Sequence, residues 1–359
     1  MQILTIVGAR PQFIKAAPVS RALRARHNEY LVHTGQHYDD NMSRLFFDEL
    51  GIPTPDVNLE IGSGPHAEQT GKMMIALEKL ILAQKPACVM VYGDTNSTIA
   101  GSMAASKVGV PVVHVEAGLR SFNRTMPEEI NRIMTDKISN VLLCPTVTAV
   151  QHLQNEGITA GVYLTGDVMY DAALHFGELA EQKQSVLERL GLQPKSYLLA
   201  TCHRPQNTDD KETLTGIIDA FIKSGKKIVF PVHPRTRAFL DKYDLQEKIK
   251  NSSTLELIYP VGYLEMIQLE KHAAKILTDS GGVQKEAYFY QVPCITMRPE
   301  TEWVETIADG WNVLVGSDQA KILQAIAAFA PYHPQSSHYG DGKSSEKIAQ
   351  ILDEHFNEK

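Results

Sequence analysis

Short apolar runs recur along the chain, and longer stretches of mixed apolar and polar residues separate them. In the first half, the runs lie at 2–7, 29–34, 88–92, 111–115 and 140–144. In the second half, they lie at 197–201, 227–231, 255–259, 275–278 and 293–297. Short runs without polar alternation are typical of parallel strands that are buried on both faces.

Helical patterns lie between these strands, and 67–85 has the period of an amphipathic helix. Strands and helices that alternate in two series predict an α/β fold with two doubly wound, Rossmann-like domains that face a cleft. We place the first domain at 1–167 and the second at 168–342. A C-terminal helix at 343–359 is expected to pack back on the first domain.

Composition and charge exclude several classes of protein. The formal net charge is -7, which disfavours a nucleic-acid partner. The four cysteines form no CxxC pair, so neither a zinc site nor a disulfide framework is expected. The sequence shows no signal-peptide pattern and no apolar run long enough for a membrane helix. We therefore expect a cytoplasmic protein that holds no metal and contacts no membrane.

Unusual polar groups follow nearly every predicted strand. In open α/β sheets, ligands bind beyond the carboxyl ends of the strands, so these loops are the places where a site is expected. The loops are GARPQFIK (8–15), GDTNST (93–98), EAGLRSF (116–122), CHRPQN (202–207), HPRTR (233–237), PVGYLE (260–265) and DSGGVQKEA (279–287).

The clearest of these loops places Ser280, Gly281 and Gly282 between a strand and a helix. Two glycines let backbone N–H groups approach a ligand, and the start of a helix favours phosphate. Glu286, one turn into the helix, suits the hydroxyls of a ribose. The alternative is a glycine-rich helix cap. Walker A and GxGxxG patterns are absent, which disfavours ATP hydrolysis and a nicotinamide cofactor, and we expect no cofactor.

Cations follow the first strand of each half. Arg10 and Lys15 suit a phosphate or carboxylate, or they are solvated side chains of a helix that begins near Pro11. His203 and His233 stand at two strand ends, with arginines beside them. They form either an anion-binding cleft or a structural pair.

Carboxylates follow the middle strands of the first half. Asp94 is either the cap of the next helix or, if Thr95 or Asn96 supplies the cap, a group available for chemistry. Glu116 lies at a strand tip, and Glu128 and Glu129 follow Pro127 at a helix start. Carboxylates held close raise one another's pKa, which suits acid–base catalysis. We interpret Glu129 as structural, because a helix start stabilises a carboxylate on its own.

These motifs, in this order, make the chain resemble the non-hydrolysing UDP-N-acetylglucosamine 2-epimerases. The resemblance runs from GARPQFIK through VYGDTNST, HVEAGLRS, MPEEINR, HRPQNTDD, PVHPRTR, TDSGGVQKEA and MRPETEW to YGDGKSSEKI. It implies a GT-B-like fold, a homodimer, UDP bound mainly by the second domain and the sugar facing the first.

The resemblance also implies a role for individual positions. It assigns catalytic roles to Asp94, Glu116, Glu128 and His203. It assigns substrate-binding roles to Arg10, Lys15, His233, Arg235, Ser280, Gly281, Gly282, Glu286 and Glu302. Elimination of UDP and its re-addition would then invert C2. Arg10, His203 and the Ser280 helix start would stabilise the leaving UDP, carboxylates would act on the two faces, and domain closure would exclude water.

Two departures from the family pattern bear on the substrate. Many members have GTRPE where this chain has GARPQ, and TERPE where it has TEWVE, so Trp303 replaces an arginine. This variant resembles the branch that acts on UDP-2,3-diacetamido-2,3-dideoxyglucuronate, a precursor of O-antigen sugars, with UDP-N-acetylglucosamine as the alternative. The stretch GQHYDDNMS (35–43) keeps Gln36 and His37 but differs beyond them from the glutamine-rich pattern of members that their substrate activates, so we do not expect such activation.

Three other functions stay open at this point. A glycosyltransferase of the same fold would need an acceptor and could lack the carboxylate cluster. A hydrolysing epimerase would release free UDP and free sugar. A nucleotide-sugar sensor would bind its ligand without turnover.

Overall fold

The computed structural model describes residues 1–36 and 50–357, and the chain divides into two compact units. Unit 1 comprises Met1–Leu174 and Ser337–Lys359, and unit 2 comprises His175–Ser336. Each unit is built on its own sheet, in which every pairing among the described strands is parallel. The predicted fold class, two Rossmann-like α/β domains, is confirmed.

Unit 1 carries the sheet β3-β2-β1-β4-β5-β6-β7. Its strands are β1 (Gln2–Val7), β2 (Asn28–His33), β3 (Val57–Asn58), β4 (Cys88–Tyr92), β5 (Val112–Val115), β6 (Val141–Cys144) and β7 (Val162–Leu164). Its helices are α1 (Arg10–Arg24), α2 (His66–Gln84), α3 (Asn96–Lys107), α4 (Pro127–Ile138), α5 (Val147–Asn155), the first part of α6 (Val168–Glu181), and the C-terminal helix, numbered α16 in chain order (Ser344–Asn357).

Unit 2 carries the sheet β10-β9-β8-β11-β12-β13. Its strands are β8 (Leu198–Thr201), β9 (Ile228–Pro231), β10 (Leu255–Ile258), β11 (Lys275–Thr278), β12 (Cys294–Thr296) and β13 (Asn312–Leu314). Its helices are the second part of α6, α7 (Val186–Arg189), α8 (Pro205–Thr208), α9 (Lys211–Lys223), α10 (Pro234–Lys242), α11 (Gln246–Lys250), α12 (Tyr263–His272), α13 (Gly281–Phe289), α14 (Val304–Ala308) and α15 (Gln319–Ala328).

The two-sided burial of the strands explains their uninterrupted apolar sequences. Along β8, Leu198 and Ala200 belong to one hydrophobic cluster, while Leu199 belongs to the cluster on the opposite face. In unit 1, α16 packs against α1, and Arg26 Nη1 lies 2.8 Å from Asp353 Oδ2. Strands that are buried on both faces leave their ends as the places where polar groups can meet a ligand.

Strand order defines one switch point in each sheet. β1 has β2 on one side and β4 on the other, and β8 likewise has β9 and β11. At β1 and β4, and at β8 and β11, the connections to the next strands run to opposite sides of the sheet. This leaves a crevice at the carboxyl ends of the two strands. The loops after β1, β4, β8 and β11 are four of those that the sequence pointed to as places for a site.

The sequence pattern did not predict β3, β7 or β13, which have only two or three residues each. The part of GQHYDDNMS beyond Gln36 lies outside the described residues. Across 1–36 and 50–357, none of the helices combines the length and apolar character that a membrane crossing requires.

Candidate active site

The switch point of unit 1 is held together by the side chain of Gln12. Its Oε1 accepts hydrogen bonds from the backbone N–H groups of Gly8 (2.8 Å) and Ala9 (3.1 Å). Its Nε2 donates to Tyr92 O (2.7 Å) and Thr98 Oγ1 (3.0 Å). The buried amide thus links the loop after β1 to the loop after β4. Sequence reasoning missed this role, although Gln12 stands in the quoted GARPQ motif.

The loop after β1 approaches the rest of the site closely at Gly8. A Cβ there would lie 2.1 Å from both Ser97 Oγ and Thr34 Oγ1, so no larger residue fits. Arg10 follows as the first residue of α1 and is exposed, as expected for a side chain at a ligand-binding edge.

Lys15 and Glu116 form an ion pair beside the loop after β4. Their side chains are 14% and 4% exposed. A Cβ at Gly93 would lie 3.2 Å from Glu116 Oε2 and 3.4 Å from Lys15 Nζ, so the backbone before Asp94 borders this pair. Glu116 has a positive φ of 71°, which is uncommon for a residue with a side chain and costs conformational energy that surrounding contacts must offset.

Asp94 is not the cap of α3, because Thr95 occupies that position and its side chain accepts the N–H of Thr98. The Asp94 carboxylate pairs instead with Arg132, whose Nε and Nη2 lie 2.9 Å and 2.6 Å from Asp94 Oδ2. Each of these two catalytic candidates, Asp94 and Glu116, therefore has its own cation.

Glu128 and Glu129 differ in their surroundings although they are neighbours on α4. Glu128 is exposed. Glu129 is buried and accepts hydrogen bonds from Ser121 N, Ser121 Oγ and Phe122 N, each at 2.9 Å. Burial opposes ionisation, but these bonds and Arg132 keep the pKa of Glu129 below its ordinary value. Glu129 therefore holds the loop after β5.

A buried polar network also holds the loops after β4 and β5. His114 Nδ1 lies 2.7 Å from Asp136 Oδ1, and its Nε2 lies 2.8 Å from Gly93 O. Asp136 also accepts hydrogen bonds from Arg120 Nη1 (2.7 Å) and Gly118 N (3.1 Å). Burial opposes ionisation, but His114 and Arg120 keep the pKa of Asp136 low. Sequence reasoning did not find this network, since nothing in the sequence pattern indicates which of these side chains hydrogen-bond to one another.

In unit 2, Asp279 organises the switch point. Its carboxylate is fully buried and accepts hydrogen bonds from Arg204 N (2.9 Å), His203 N (3.0 Å) and Asn207 Nδ2 (3.0 Å). His203 Nδ1 lies 3.6 Å from Asp279 Oδ1. The loop after β8, which carries His203, is thus fixed by the residue that precedes Ser280.

The two predicted histidines meet in this unit. Their ring centroids are 5.7 Å apart. His233 caps α10 by accepting the N–H of Arg235 (3.2 Å), and burial, with the charges of His203 and Arg235, lowers its pKa. Arg235 Nη2 lies 2.5 Å and 2.7 Å from the two carboxylate oxygens of Asp209. The structure therefore brings His203 and His233 together, and Arg235 faces Asp209.

Ser280 caps α13, and Gly281 and Gly282 follow as its first residues. Trp303 Nε1 lies 3.5 Å from the position of a Cβ on Gly281, so the indole ring borders the turn. Lys285 Nζ lies 3.9 Å from the centroid of the same ring. A bare helix start with small residues at its tip can bind phosphate through backbone N–H groups.

The remaining candidates of unit 2 are buried near this turn. Glu302 forms a two-point ion pair with Arg298 at 3.0 Å and 3.1 Å. Glu286 Oε1 accepts a hydrogen bond from Tyr263 (2.8 Å). Burial, followed by the charge of Glu286, raises the pKa of Glu270 well above its ordinary value.

Comparison with known proteins gives these sites a context. The family model for UDP-N-acetylglucosamine 2-epimerase matches residues 21–353. A Methanococcus maripaludis protein named UDP-N-acetylglucosamine 2-epimerase homolog is 59% identical over 98% of this chain and 99% of its own length. The UDP-2,3-diacetamido-2,3-dideoxy-D-glucuronate 2-epimerase of Pseudomonas aeruginosa is 48% identical over the same shares of the two chains.

A solved structure gives the same result at the level of the fold. The crystal structure of Methanocaldococcus jannaschii UDP-GlcNAc 2-epimerase in complex with UDP-GlcNAc and UDP has a TM-score of 0.91 and 44% identity, and the match covers 98% of this chain and 99% of that one.

The two Rossmann-like sheets and the similarity to this structure place the chain among the GT-B-like enzymes that act on nucleotide sugars. Within that class, the chain belongs to the UDP-N-acetylglucosamine 2-epimerase family, and it is an isomerase of the UDP-sugar 2-epimerase type. The resemblance of its motifs to this family is thereby confirmed.

Proposed function

We propose that this chain interconverts the gluco and manno epimers of a UDP-2-acetamido sugar at C2, without net hydrolysis. The observation that carries the proposal is membership of the epimerase family along almost the whole chain, with polar residues at the switch point of each sheet. Neither switch point alone accounts for the reaction, which needs a diphosphate site as well as proton-transfer groups.

Unit 2 is proposed to bind UDP. The N–H groups at the start of α13, near Gly281 and Gly282, bind the diphosphate, and Ser280 caps the helix. Glu286 accepts hydrogen bonds from the ribose. His203, held by Asp279, stabilises the negative charge of the leaving group. His233 and Arg235 complete the substrate loop, and Glu302 orders the opposite side of the turn through Arg298.

Unit 1 is proposed to handle the protons. The hydrogen at C2 is not next to a carbonyl, so direct removal is too difficult. Elimination avoids this problem: a carboxylate takes the C2 proton, the C–H electron pair forms the C1–C2 double bond, and the C1–O bond breaks with its electrons passing to UDP. Re-addition of UDP, with protonation of C2 on the opposite face, completes the inversion. Asp94, Glu116 and Glu128 supply these acid and base functions, and Arg10 and Lys15 hold the anionic parts.

UDP-2,3-diacetamido-2,3-dideoxyglucuronate is our first candidate for the substrate. A relative that acts on this sugar is similar along the whole chain. Trp303, which stands in place of the family's usual arginine, borders the Gly281 turn and stacks on the buried ammonium of Lys285. This departure from the family pattern, TEWVE in place of TERPE, is the sequence feature that favours the uronate. UDP-N-acetylglucosamine is the second candidate, because another close relative bears its name.

Turnover of the two sugars, measured separately on the purified protein, tests this choice. We expect the diacetamido uronate to be converted to its manno isomer with the higher kcat/KM. If the uronate is inert and UDP-N-acetylglucosamine is converted well, the substrate assignment is wrong while the reaction class stands.

The same assay separates the rival functions. A hydrolysing epimerase would accumulate free UDP and free sugar, and a glycosyltransferase would leave either sugar unchanged until an acceptor is added. A sensor would bind without turnover. For an epimerase, Asp94→Asn abolishes turnover and leaves UDP binding intact.

We further propose a cytoplasmic homodimer whose product enters surface-polysaccharide synthesis. The proposed homodimer is supported by large exposed apolar side chains on two helices of unit 1. Ile75 and Leu82 on α2 are 63% and 56% exposed, and Ile130 and Met134 on α4 are each 43% exposed. Since α3 packs against both helices, these side chains belong to a single layer that suits contact with a second copy.

A further inference from the structure

We propose that Arg132 is a positioning residue of the reaction, which fixes Asp94 through one carboxylate oxygen and leaves the other oxygen to exchange the proton. The inference rests on the proposed function, because it assumes that Asp94 is an acid–base group. It goes further by naming the reacting atom of Asp94 and the residues that orient it.

The geometry of the ion pair is asymmetric. Arg132 Nε and Nη2 both donate to Asp94 Oδ2, at 2.9 Å and 2.6 Å. Across residues 1–36 and 50–357, no hydrogen bond reaches Asp94 Oδ1. The Asp94 side chain is 28% exposed, and Oδ1 is not one of the fully buried oxygens that lack a hydrogen-bond partner. Two N–H groups of the planar guanidinium hold Oδ2 from two directions, whereas a single ammonium would act there only as a point charge.

Arg132 is itself anchored. Its Nη1 donates to Glu129 Oε2 at 2.8 Å. The Glu129 carboxylate also holds Ser121 and the backbone of Phe122, so it is not free to follow the guanidinium. The side chains of Arg132 and Glu129 are 7% and 1% exposed. Burial strengthens such charge-assisted bonds, because water does not compete for them.

The backbone of Asp94 is held by the same helix. Asn131 Nδ2 donates to Asp94 O at 2.9 Å. Within one turn of α4, Asn131 therefore binds the main chain of Asp94, Arg132 binds its carboxylate, and Glu129 anchors Arg132. Glu128, the other carboxylate proposed for proton transfer, precedes them on the helix. α4 thus carries one reacting group and orients a second.

The proposed proton transfer conserves all charges. On one face, the C2–H bond breaks, the proton passes to Asp94 Oδ1, and the electron pair enters the C1–C2 double bond as UDP departs. In the return direction Oδ1 gives the proton back. Arg132 keeps its protons throughout, because the guanidinium group is not deprotonated in proteins. Its part is therefore orientation.

Arg132→Ala tests the inference, with Arg24→Ala as its matched control. Arg24 also forms an ion pair in unit 1, with Glu29 at 2.8 Å, but lies at the far end of α1. We expect Arg132→Ala to lower kcat by about 10²-fold, the usual effect of losing a well-placed acid or base. We expect its affinity for UDP to stay at the wild-type value, because unit 2 supplies that site. Arg24→Ala should change neither quantity.

Chemical rescue distinguishes a positioning role from a purely structural one, because an added cation restores turnover only in the first case. Free guanidinium, added well below denaturing concentrations, should restore part of the kcat of Arg132→Ala and leave the control unaffected. If Arg132→Ala does not fold, Arg132→Lys replaces it: the charge stays, the fork is lost, and kcat should fall with UDP affinity intact.

Three results would overturn the inference. An Arg132→Ala or Arg132→Lys variant with wild-type kcat shows that Asp94 needs no fork. A loss of kcat that merely follows a loss of folded protein, without guanidinium rescue, makes Arg132 structural. A wild-type protein that converts neither sugar contradicts the proposed function, and this inference falls with it.

Discussion

At the scale of single residues, the site of unit 1 pairs two catalytic candidates, Glu116 and Asp94, with two different cations. Glu116 is nearly buried, has a left-handed backbone and pairs with Lys15, while Asp94 pairs with Arg132. The burial of the Glu116 charge and its positive φ are each unfavourable in isolation. A buried charge needs a partner, and a positive φ persists only when surrounding contacts enforce it. Their occurrence at one residue favours a functional role for Glu116.

Removal of Lys15 tests this pairing. Lys15→Met removes the cation from a nearly buried ion pair, so we expect the free energy of unfolding to fall by about 3 kcal/mol. The double variant Lys15→Met/Glu116→Gln removes both charges and should regain most of that stability without regaining turnover. Urea unfolding and the epimerase assay on both variants check this expectation. A double variant as unstable as the single one would mean that the pair is not coupled.

His33 makes stability dependent on pH in the acid range. Burial lowers its pKa to about 4, whereas the ordinary value is 6.5, and its Nδ1 accepts the N–H of Gly35 at 2.6 Å. Because the folded-state pKa is depressed, the stabilisation is complete above pH 6.5 and is lost as the pH falls towards 4. The difference between the two pKa values corresponds to about 3 kcal/mol.

A variant isolates this contribution from that of the carboxylates. Asparagine can accept the Gly35 N–H but does not titrate, so His33→Asn should show a flatter fall in unfolding free energy between pH 6.5 and 4. Unfolding titrations of the two proteins across that range provide the comparison. Curves that stay parallel would contradict the role given to His33.

At the scale of elements, the start of α13 is the feature on which the UDP site depends. Gly281 has room for a methyl group, since the nearest atom to an added Cβ is Trp303 Nε1 at 3.5 Å. Gly281→Ala should therefore leave the fold intact and even stabilise the helix by a few tenths to about 1 kcal/mol.

The same methyl group should harm binding, because it occupies the tip of the turn where a diphosphate would lie. We expect the affinity of Gly281→Ala for UDP to fall by at least about tenfold, or about 1.4 kcal/mol, by calorimetry. Gly216→Ala, a helical glycine with open space around it, is the control. Unchanged UDP affinity in Gly281→Ala would remove the turn from the proposed site.

Elements were also the scale at which the sequence was most informative. Buried parallel strands have continuous apolar sequences, so the central strands were predicted to within a residue or two, and α2, expected at 67–85, spans His66–Gln84. The edge strands β3, β7 and β13 were not predicted, because two or three residues are too few to show a hydrophobic pattern. Their pairing is decided by neighbouring strands.

The site was predictable as a set of loops and less so as a set of contacts. Parallel topology brings the strand ends to one edge, so Asp94, Glu116 and Glu128 could be proposed together. The partners of these residues could not. Arg132 was one cation among several in its stretch, and the roles of Gln12 and Asp279 depend on hydrogen bonds across 72 to 86 positions of sequence.

At the scale of the whole molecule, the exposed apolar side chains of α2 provide a test of the proposed homodimer. Ile75 and Leu82 lie two turns apart on the same side of the helix. Ile75→Glu/Leu82→Glu places two charges on this face, and light scattering should show a monomer where the wild type is a dimer. Val147→Glu, at another exposed apolar position, should stay dimeric. A monomeric wild type would contradict the proposal.

The whole account depends on proton exchange at C2, and one measurement addresses it directly. The purified protein is incubated with the diacetamido uronate and, separately, with UDP-N-acetylglucosamine in D₂O, while proton NMR follows the C2 signal. We expect that signal to disappear from one of the sugars as the manno isomer grows, because the proton taken by a carboxylate is replaced from solvent. Conversion with full retention of the C2 proton would contradict elimination, and a complete lack of conversion and exchange with both sugars would contradict the proposed epimerase activity.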